Sequence, residues 1–274
     1  MVQGALLASG RTAGIYAWGS DRVLKLFREA YPPEAAEYEA MAMRAVRGAG
    51  LPVPAVDGVT SVDGRSSIIM ERIQGPTMME AMMKQPWMLR RHARNLAGLH
   101  VRLHRSSVPG LQPLGLEIWY SIARAKGIPM PVKQSLMTEL VRLPHGESVC
   151  HYDLHPMNVI MSAGGPVIID WQGAGTGYAM LDVARSWLLM RHAVLPTSFP
   201  WSIALRAFRA AFYRQYSGWY NRLFRMESAH LRTCMALIVA ARCGEVPEEE
   251  KLLLPVLDSL LASTGIASGV ADVA

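Results

Sequence analysis

Two aspartates and an asparagine lie close together in one stretch of the sequence, "HYDLHPMNVIMSAGGPVIIDW", which runs from residue 151 to 171. Asp153 and Asn158 fall in a segment that Pro156 keeps from becoming a helix. The apolar runs on either side of the Gly-Gly turn predict a hairpin, so that a loop carboxylate, a carboxamide and the strand-end carboxylate of Asp170 would converge. Oxygen ligands of this kind suit Mg²⁺, which takes one or two carboxylates and completes its shell with water and phosphate.

The order of these groups predicts phosphoryl transfer. In protein kinases an H-R-D sequence is followed, after four residues, by a metal-binding asparagine and later by D-F-G. Here H-Y-D ends at Asp153, four residues follow, Asn158 comes next, and D-W-Q begins at Asp170. Asp153 is therefore the predicted catalytic base, and Asn158 and Asp170 are the predicted metal ligands.

The same stretch closely resembles the aminoglycoside phosphotransferase and choline kinase family, which carries H-x-D-L-H-x-x-N and then I-D-W or I-D-F/Y. The segment "GAGTGYAMLDVAR", residues 173–185, is similar to the L-D-x-A segment of that family. The resemblance spans residues 5–190, and the later helices fit only in kind. It implies a protein-kinase-like fold, a structural role for His151, and a scaffold role for Asp182, which would accept backbone hydrogen bonds from the catalytic loop.

A kinase also needs a lysine on a strand to bind phosphate. Lys25 lies in the predicted strand "RVLKLF" between apolar residues. A lysine is costly to bury without a partner, so this position predicts an anionic ligand, with a solvent-reaching edge lysine as the alternative. Glu39 is the candidate partner because its place on a predicted helix resembles that of the family's helix glutamate. Glu34 and Glu37 are rival candidates.

Two further segments are predicted to bind the nucleotide. The loop "SGRTAG", residues 9–14, would fold over the phosphates, where Ser9 and Thr12 would donate hydroxyl or backbone N–H groups; a plain hairpin turn is the alternative. The adenine would bond backbone groups from Glu71 to Ile73, in the connection between two lobes. The predicted cofactors are ATP, with GTP as the alternative, and Mg²⁺.

The elements that would position these groups change character along the chain. Residues 1–75 are strand-rich, the character changes to helices from about residue 77, and nearly everything after Asp182 has the spacing of helices. We therefore predict an α+β, bilobal, protein-kinase-like fold with a small antiparallel-sheet N-terminal lobe and a larger, mainly helical C-terminal lobe. The first, nucleotide-binding lobe would end near Gly75–Pro76, and residues 76–274 would hold the catalytic loop and the acceptor site.

The predicted elements have definite bounds. Strands flank a turn at residues 19–21, a helix covers 34–47, and a further strand covers 66–73. Later helices are predicted at 88–105, 115–126, 132–142, 182–193, 201–217, 219–243 and 248–263. His100 and His104 have the spacing of zinc ligands, but the glutamate of H-E-x-x-H is missing, so helix packing is the favoured interpretation.

Composition limits the other classes of function. The chain of 274 residues is 51% hydrophobic and 18% charged, which indicates a globular protein. Its net charge of +6 comes from 28 scattered basic residues without a long run, so we predict no nucleic-acid partner. The longest apolar run, residues 235–241, is too short to cross a bilayer. Three cysteines without close spacing favour a reducing, cytoplasmic location, and the oligomeric state stays open.

The predicted reaction moves the γ-phosphate of ATP to a hydroxyl of a small molecule: an aminoglycoside-like compound, an amino alcohol or a sugar. From Val183 onward there are 10 basic and 7 acidic residues, which do not make an obvious pocket for a polycation. A nucleotide-binding pseudokinase with a regulatory role and an atypical protein kinase are the alternatives. The segment from Asp170 to Leu181 is too short for an ordinary activation loop.

Overall fold

The structure, a computed structural model, describes residues 4–192 and 201–266. Its described residues divide into two compact units. The first unit comprises the described part of Met1–Pro86 together with Val108–Leu111 and Pro156–Ala174. The second comprises Trp87–Ser107, Gln112–His155 and the described part of Gly175–Ala274. These units are defined by contacts, and the predicted functional division after residue 75 stays a prediction.

The first unit is built on an antiparallel sheet of five strands in the order β1-β2-β3-β5-β4. The strands are β1 (Leu6–Ser9), β2 (Ala13–Trp18), β3 (Arg22–Phe27), β4 (Val56–Val62) and β5 (Arg65–Glu71). The predicted turn between β2 and β3 is present, and Gly19 adopts there the positive φ of 67° that glycine tolerates best. The middle position of β3 makes it the most buried strand of the sheet.

Helix α1 (Pro33–Gly48) packs against β4 and β5. Pro33 at the first helical position supplies the φ that a helix start requires. Small residues on the inner face, Ala36 and Ala40, form a core with Phe27 and Ile68 from the sheet. Because this face is otherwise apolar, the one carboxylate on it, Glu39, needs a partner.

Helix α2 (Met78–Lys84) and the hairpin of β7 (Val159–Ser162) and β8 (Gly165–Ile168) complete the first unit. Backbone bonds tie the hairpin to earlier segments: the Met161 N–H donates to the Pro76 carbonyl and the Ile168 N–H donates to the Pro52 carbonyl, both at 2.8 Å. Gly75 permits this approach, since a Cβ there would lie 2.3 Å from the Met161 carbonyl oxygen.

The second unit is mainly helical, with one short antiparallel pair, β6 (Ser148–Cys150) and β9 (Gly175–Gly177). Its helices are α3 (Leu89–His104), α4 (Leu114–Arg124), α5 (Met130–Arg142), α6 (Ala179–His192), α7 (Trp201–Phe224), α8 (Ser228–Glu245) and α9 (Glu250–Thr264). The main helix pairs are α3 with α7, α4 with α8, and α8 with α9. Among the described residues, no helix is long and apolar enough to cross a membrane.

The predicted α+β class, with an antiparallel sheet in the N-terminal part and helices in the C-terminal part, is confirmed. One predicted boundary is wrong: the helices at 201–217 and 219–243 do not break at Gly218, because α7 continues to Phe224. The chain turns instead where Arg225 has a φ of 52°. Strand β4 was also not predicted, since prolines precede it and Gly58 interrupts its apolar pattern. The last residue of the predicted helix 182–193 lies outside the described residues.

Candidate active site

In the first unit, one lysine bridges two carboxylates from distant parts of the chain. Lys25 Nζ donates to both carboxylate oxygens of Glu39 at 2.8 Å and to Asp170 Oδ1 at 2.6 Å. The side chains of Lys25 and Glu39 are 5% and 1% exposed, whereas that of Asp170 is 39% exposed. The cluster therefore consists of a buried ion pair and one carboxylate that solvent or a ligand can reach.

The contact that was predicted between Lys25 and Glu39 is present. The rivals Glu34 and Glu37 are exposed on the opposite side of α1. Glu39 follows Ala36 by three residues and precedes Met43 by four, which places it on the buried face of the helix. The role of this pair in nucleotide binding stays a prediction.

Strand pairing and the helix together fix the position of the lysine. Lys25 lies in the middle of the sheet, opposite Ile15 on β2 and Ile68 on β5. Glu39 holds a third group as well, since its Oε1 accepts the backbone N–H of Trp171 at 3.1 Å. One carboxylate therefore links β3, α1 and the segment that follows β8.

The two predicted metal ligands lie at the same end of the β7–β8 hairpin. Val159 pairs with Ile168, and the Ile169 N–H donates to the Asn158 carbonyl at 3.0 Å. Asn158 is buried in a short 3₁₀ turn, and Asp170 has a φ of 65°. A positive φ is uncommon for a residue other than glycine and persists only where the surroundings hold it.

The charge of the cluster suits a divalent cation. One ammonium and two carboxylates leave one net negative charge. Burial alone would lower the pKa of Lys25, but the charges of Glu39 and Asp170 outweigh it and raise that pKa, so the ammonium form persists. Carboxylate and carboxamide oxygens are also the hard ligands that Mg²⁺ prefers. The side-chain chemistry of Asn158 and Asp170 therefore fits the predicted metal.

Asp153 lies in the second unit, five residues before Asn158 along the chain. Its backbone is held by neighbouring bonds: the Asp153 N–H donates to His151 Nδ1 at 3.3 Å, and Ser186 Oγ donates to the Leu154 carbonyl at 2.7 Å. The side chain of Asp153 is 34% exposed and its Oδ2 lies 3.7 Å from His155 Nε2.

The environment of Asp153 keeps its carboxylate ionised. Burial alone would raise its pKa, but the hydrogen bond and charge of His155, with the charges of Arg185 and His151, lower it to about 2. A carboxylate with so low a pKa is a weak base, so it is better suited to orienting a hydroxyl than to removing its proton early.

Asp182 has the scaffold role that was predicted for it. It accepts the backbone N–H groups of His151 and Tyr152, both at 2.8 Å. Tyr152 adopts a φ of 63°, so these bonds hold an unusual backbone conformation just before Asp153. The predicted structural burial of His151 is also confirmed.

The two histidines on α3 pack around this aspartate. His104 Nε2 lies 3.2 Å and His100 Nε2 lies 3.0 Å from Asp182 Oδ2. The hydroxyls of Tyr216 and Tyr220 on α7 are hydrogen-bonded to the Nδ1 atoms of His100 and His104. These contacts agree with helix packing as the interpretation of the zinc-like spacing, although the two histidines and Asp182 also lie close enough together to hold a metal ion.

A second buried ion pair adjoins the catalytic loop. Arg185 Nη2 donates to Glu245 Oε2 at 2.6 Å, and Tyr152 Oη donates to the same carboxylate at 3.0 Å. The guanidinium of Arg185 lies 4.5 Å from the centre of the Tyr152 ring. This pair fixes the tyrosine that stands where protein kinases have arginine in H-R-D.

Ser9 is the last residue of β1, and Thr12 lies in the turn between β1 and β2. Arg28 closes this turn: its guanidinium donates to the carbonyls of Gly10 and Arg11 at 2.8 and 2.9 Å and to Ser9 Oγ at 3.3 Å. The backbone N–H of Arg28 donates to the Thr12 carbonyl at 2.9 Å. The predicted contact of Ser9 and Thr12 with phosphate stays a prediction.

Glu71 and Ile73 lie at the end of β5 and just beyond it. The Glu71 N–H donates to the Ala55 carbonyl, and Glu71 Oε2 accepts the Ala55 N–H at 3.0 Å. The Arg72 N–H donates to the Asp21 carbonyl at 2.9 Å. The predicted contact of adenine with backbone groups from Glu71 to Ile73 stays a prediction.

Sequence reasoning missed three groups around the candidate site: Arg28, Arg185 and Glu245. The sequence does contain a feature that could have found Arg28: this residue directly follows the predicted strand that ends beside the predicted turn. Nothing in the sequence pairs Arg185 with Glu245, because 60 residues separate them.

Comparison with known proteins identifies the family. Residues 5–227 match the model of the phosphotransferase enzyme family. The chain belongs to this family. The family resemblance predicted from "HYDLHPMNVI" and "VIIDW" is confirmed, and so is the predicted class of enzyme, a small-molecule kinase. No curated protein sequence matches the chain.

Solved structures with the same fold share little sequence with this family member. An aminoglycoside-3'-phosphotransferase of type VIII has 18% identity and a TM-score of 0.62, over 89% of this chain and 92% of that chain. An amicoumacin kinase in complex with AMP-PNP, Ca²⁺ and its substrate has 17% identity and a TM-score of 0.62, over 98% and 91%. A thermostable aminoglycoside phosphotransferase mutant bound to ADP and hygromycin B has 15% identity and a TM-score of 0.64, over 97% and 94%. The protein-kinase-like fold is thereby confirmed.

Proposed function

We propose that this phosphotransferase moves the γ-phosphoryl group of ATP to a hydroxyl of a small molecule. The observation that carries the proposal is the cluster of Lys25, Glu39 and Asp170. It combines a buried, charged lysine with a partly exposed carboxylate on a positive-φ residue. Family membership and the nucleotides in the titles of two similar structures support the same reaction class.

At the phosphate end, Lys25 would bind the α- and β-phosphates and Glu39 would keep it charged and oriented. Asn158 and Asp170 would hold Mg²⁺, which supplies neutralisation of phosphate charge when it is bound. Lys25 is already fixed between two carboxylates, so little reorganisation is needed when phosphate arrives. Backbone groups from Glu71 to Ile73 would bond the base, and Ser9 and Thr12 would donate to phosphate oxygens.

Asp153 would orient the acceptor hydroxyl and accept its proton late in the transfer. Its carboxylate is ionised, with a pKa of about 2, and its side chain is partly exposed. Proton transfer to so weak a base becomes favourable only once the oxygen has begun to bond phosphorus and has become acidic. Most of the rate would then come from positioning and electrostatic stabilisation.

The acceptor would be a small hydroxyl compound: an aminoglycoside-like molecule, an amino alcohol or a sugar. The similar structures include an aminoglycoside phosphotransferase and an amicoumacin kinase, both of which act on small molecules. In the second unit Glu245 is already bonded to Arg185 and Tyr152, so this carboxylate favours a structural role over binding a cationic acceptor. Glu245 therefore gives no reason to expect an aminoglycoside to bind more tightly than a sugar.

The test is an ATP-consumption assay with a panel of aminoglycosides, choline and sugars, combined with nucleotide binding. Asp153→Asn keeps the shape of the side chain and removes its charge, and Asp63→Asn makes the same change in an exposed turn. We expect one acceptor class to stimulate turnover, Asp153→Asn to abolish transfer while ATP still binds, and Asp63→Asn to behave as the unmodified chain.

Three results would contradict the proposal. Transfer by Asp153→Asn at the unmodified rate would remove Asp153 from the reaction. ATP binding without turnover for any acceptor, together with the same binding in Asp153→Asn, would favour the nucleotide-binding pseudokinase. Phosphorylation of added proteins but of no small molecule would favour the atypical protein kinase. Replacing ATP by GTP in the same assay decides between the two nucleotides.

A further inference from the structure

A cavity of about 300 Å³ lies between α3 and α7, wholly within the second unit. It shares no residue with the candidate active site. Its lining is polar and basic: Arg90, Arg214, Gln215, Gly218, Trp219 and Arg222. The α7 residues recur at intervals of one, three, one and three positions, so they form one face of that helix.

The two helices that border the cavity are unusually basic. Each of α3 and α7 contains four arginines, and neither contains an aspartate or a glutamate. Within the part of the chain that the structure describes, the guanidinium groups of Arg90, Arg94, Arg214 and Arg222 form no hydrogen bond or ion pair with a carboxylate. Like charges collected around one concave surface repel, so an anion that enters the cavity is stabilised by all of them.

Trp219 gives the cavity a defined wall. The guanidinium carbon of Arg94 lies 4.9 Å from the centre of a Trp219 ring, and that of Arg222 lies 5.2 Å away. These cation–π contacts restrain two flexible arginines. The two side chains therefore lose less conformational entropy when a ligand binds. They also occupy aromatic surface that a nucleic-acid base would need for stacking.

Gly218 leaves the floor of the cavity open. A Cβ at this position would meet no atom within 4 Å, so the space above the glycine is empty and the backbone there tolerates a side chain. The φ of Gly218 is helical, and glycine is one of the least favourable residues in a helix interior. An exposed glycine in the middle of a basic helix face therefore costs stability, and a larger side chain at this position would occupy space in the cavity.

We propose that this α3–α7 cavity binds a small, soluble anion that carries two or more phosphate groups in a row. Arginine forks match phosphate oxygens in bidentate geometry, which makes a group of arginines better suited to phosphate than to an isolated carboxylate. The volume of the cavity is at the lower end of the range for small-molecule sites and favours a compact ligand over a polymer.

Inorganic tripolyphosphate is the probe, and its binding to the full chain is measured by calorimetry. Because the probe could also occupy the phosphate end of the active site, the measurement is made on Lys25→Met as well as on the unmodified chain. We expect binding at the cavity to persist in Lys25→Met. We expect the double variant Arg214→Gln/Arg222→Gln to weaken that binding at least about tenfold, since two charged hydrogen-bond donors are lost.

Two matched variants separate a built site from general positive charge. Gly218→Leu fills the cavity without changing any charge and should weaken tripolyphosphate binding at least about tenfold while the midpoint of unfolding stays the same or rises. Arg206→Gln removes a charge from an exposed position on the same helix, outside the cavity, and should leave binding unchanged.

The proposal is overturned if Arg206→Gln weakens binding as much as Arg214→Gln/Arg222→Gln does, or if Gly218→Leu binds normally. It is also overturned if tripolyphosphate fails to bind Lys25→Met. A final arm adds duplex DNA and phosphatidylcholine vesicles that contain an anionic lipid. Preferential binding of either, with loss in the same arginine variants, would replace the soluble anion by a nucleic acid or a membrane surface.

Discussion

Two buried ion clusters, one in each compact unit, differ in how much of each remains open to solvent. In the first unit Lys25 is bonded to Glu39 and Asp170, and the Asp170 side chain is 39% exposed. In the second, Asp182 is surrounded by His100 and His104, and all three side chains are 0% exposed. The first cluster therefore has a partly exposed carboxylate that can form contacts with a ligand, whereas no side chain of the second cluster is exposed to solvent.

Both clusters also hold a residue with positive φ, but for different purposes. In the first cluster the residue is Asp170 itself, at 65°, so the unusual backbone aims a side chain. In the second it is Tyr152, at 63°, whose N–H is bonded by Asp182, so the unusual backbone shapes the loop before Asp153. We propose that the open cluster takes part in chemistry and that the closed cluster positions Asp153.

The largest expected effect is on activity, from Asp170→Asn. Asparagine tolerates a positive φ and keeps the side-chain shape, so the change removes a charge with little strain. We expect phosphoryl transfer to fall about 100- to 1,000-fold, as when a transition-state stabiliser is lost, with little change in the urea midpoint of unfolding. Asp63→Asn is the control, because Asp63 also has a positive φ, of 51°, in an exposed turn. Equal activity of the two variants would contradict the assignment of Asp170.

The next effect is on stability, from Asp182→Asn. The amide nitrogen would face two histidines and a backbone N–H, leaving donors without an acceptor in a fully buried place. We expect the free energy of unfolding to fall by about 3–5 kcal/mol, the range for breaking a buried charged network. Asp258 on α9 forms no ion pair among the described residues, so Asp258→Asn is the control for urea titration. A loss smaller than that of the control would show that Asp182 is not a structural centre.

Acid should weaken the closed cluster. Burial, with the charge of His100, lowers the pKa of His104 to about 4, below its unfolded value of about 6.5. The unfolded chain then binds a proton that the folded chain does not, so stability falls as pH drops from about 6.5 to 4, by at most about 1.4 kcal/mol per unit. The pKa of Asp182 is held well below its usual range. Protonation of this carboxylate at still lower pH therefore removes further stability. His104→Gln should flatten the dependence of the unfolding free energy between pH 6.5 and 4, and an unchanged slope would exclude His104 as its source.

The smallest effect is expected from Tyr216→Phe, which removes the hydroxyl bonded to His100 Nδ1. Both rings are buried, so loss of this hydrogen bond should cost about 1 kcal/mol of unfolding free energy. Tyr213→Phe on the same helix is the control, since its hydroxyl makes no such bond among the described residues. If the two variants unfold at the same urea concentration, the tyrosines do not support the cluster.

The open cluster was largely predictable and the closed one only in part. Lys25 and Glu39 are 14 residues apart on a strand and the next helix, so chain order and the alternation of apolar residues bring them together. The hairpin from Val159 to Ile168 followed from its Gly-Gly turn. The direct contact of Lys25 with Asp170 spans 145 residues and depends on how the hairpin docks, which no local pattern encodes.

Helix packing accounts for most of what the sequence did not reveal. Tyr216 and Tyr220 meet His100 and His104 only because α7 packs on α3, across 116 residues. The same packing gathers Arg90 and Arg214 around one cavity, although basic residues are scattered along the chain. Gly218 misled the prediction of a helix end, because buried tyrosines on both sides hold α7 continuous through the glycine.

The most direct test of the central claim, that Lys25 forms the phosphate end of a nucleotide site, is the affinity of Lys25→Met for MgATP and for adenosine. Adenosine lacks phosphate, so it reports on the base-binding segment alone, and Lys133→Met is the control for changing a buried lysine. We predict that Lys25→Met raises the Kd for MgATP about tenfold or more and leaves the Kd for adenosine unchanged, while Lys133→Met alters neither. Unchanged MgATP affinity in a folded Lys25→Met protein would contradict the account.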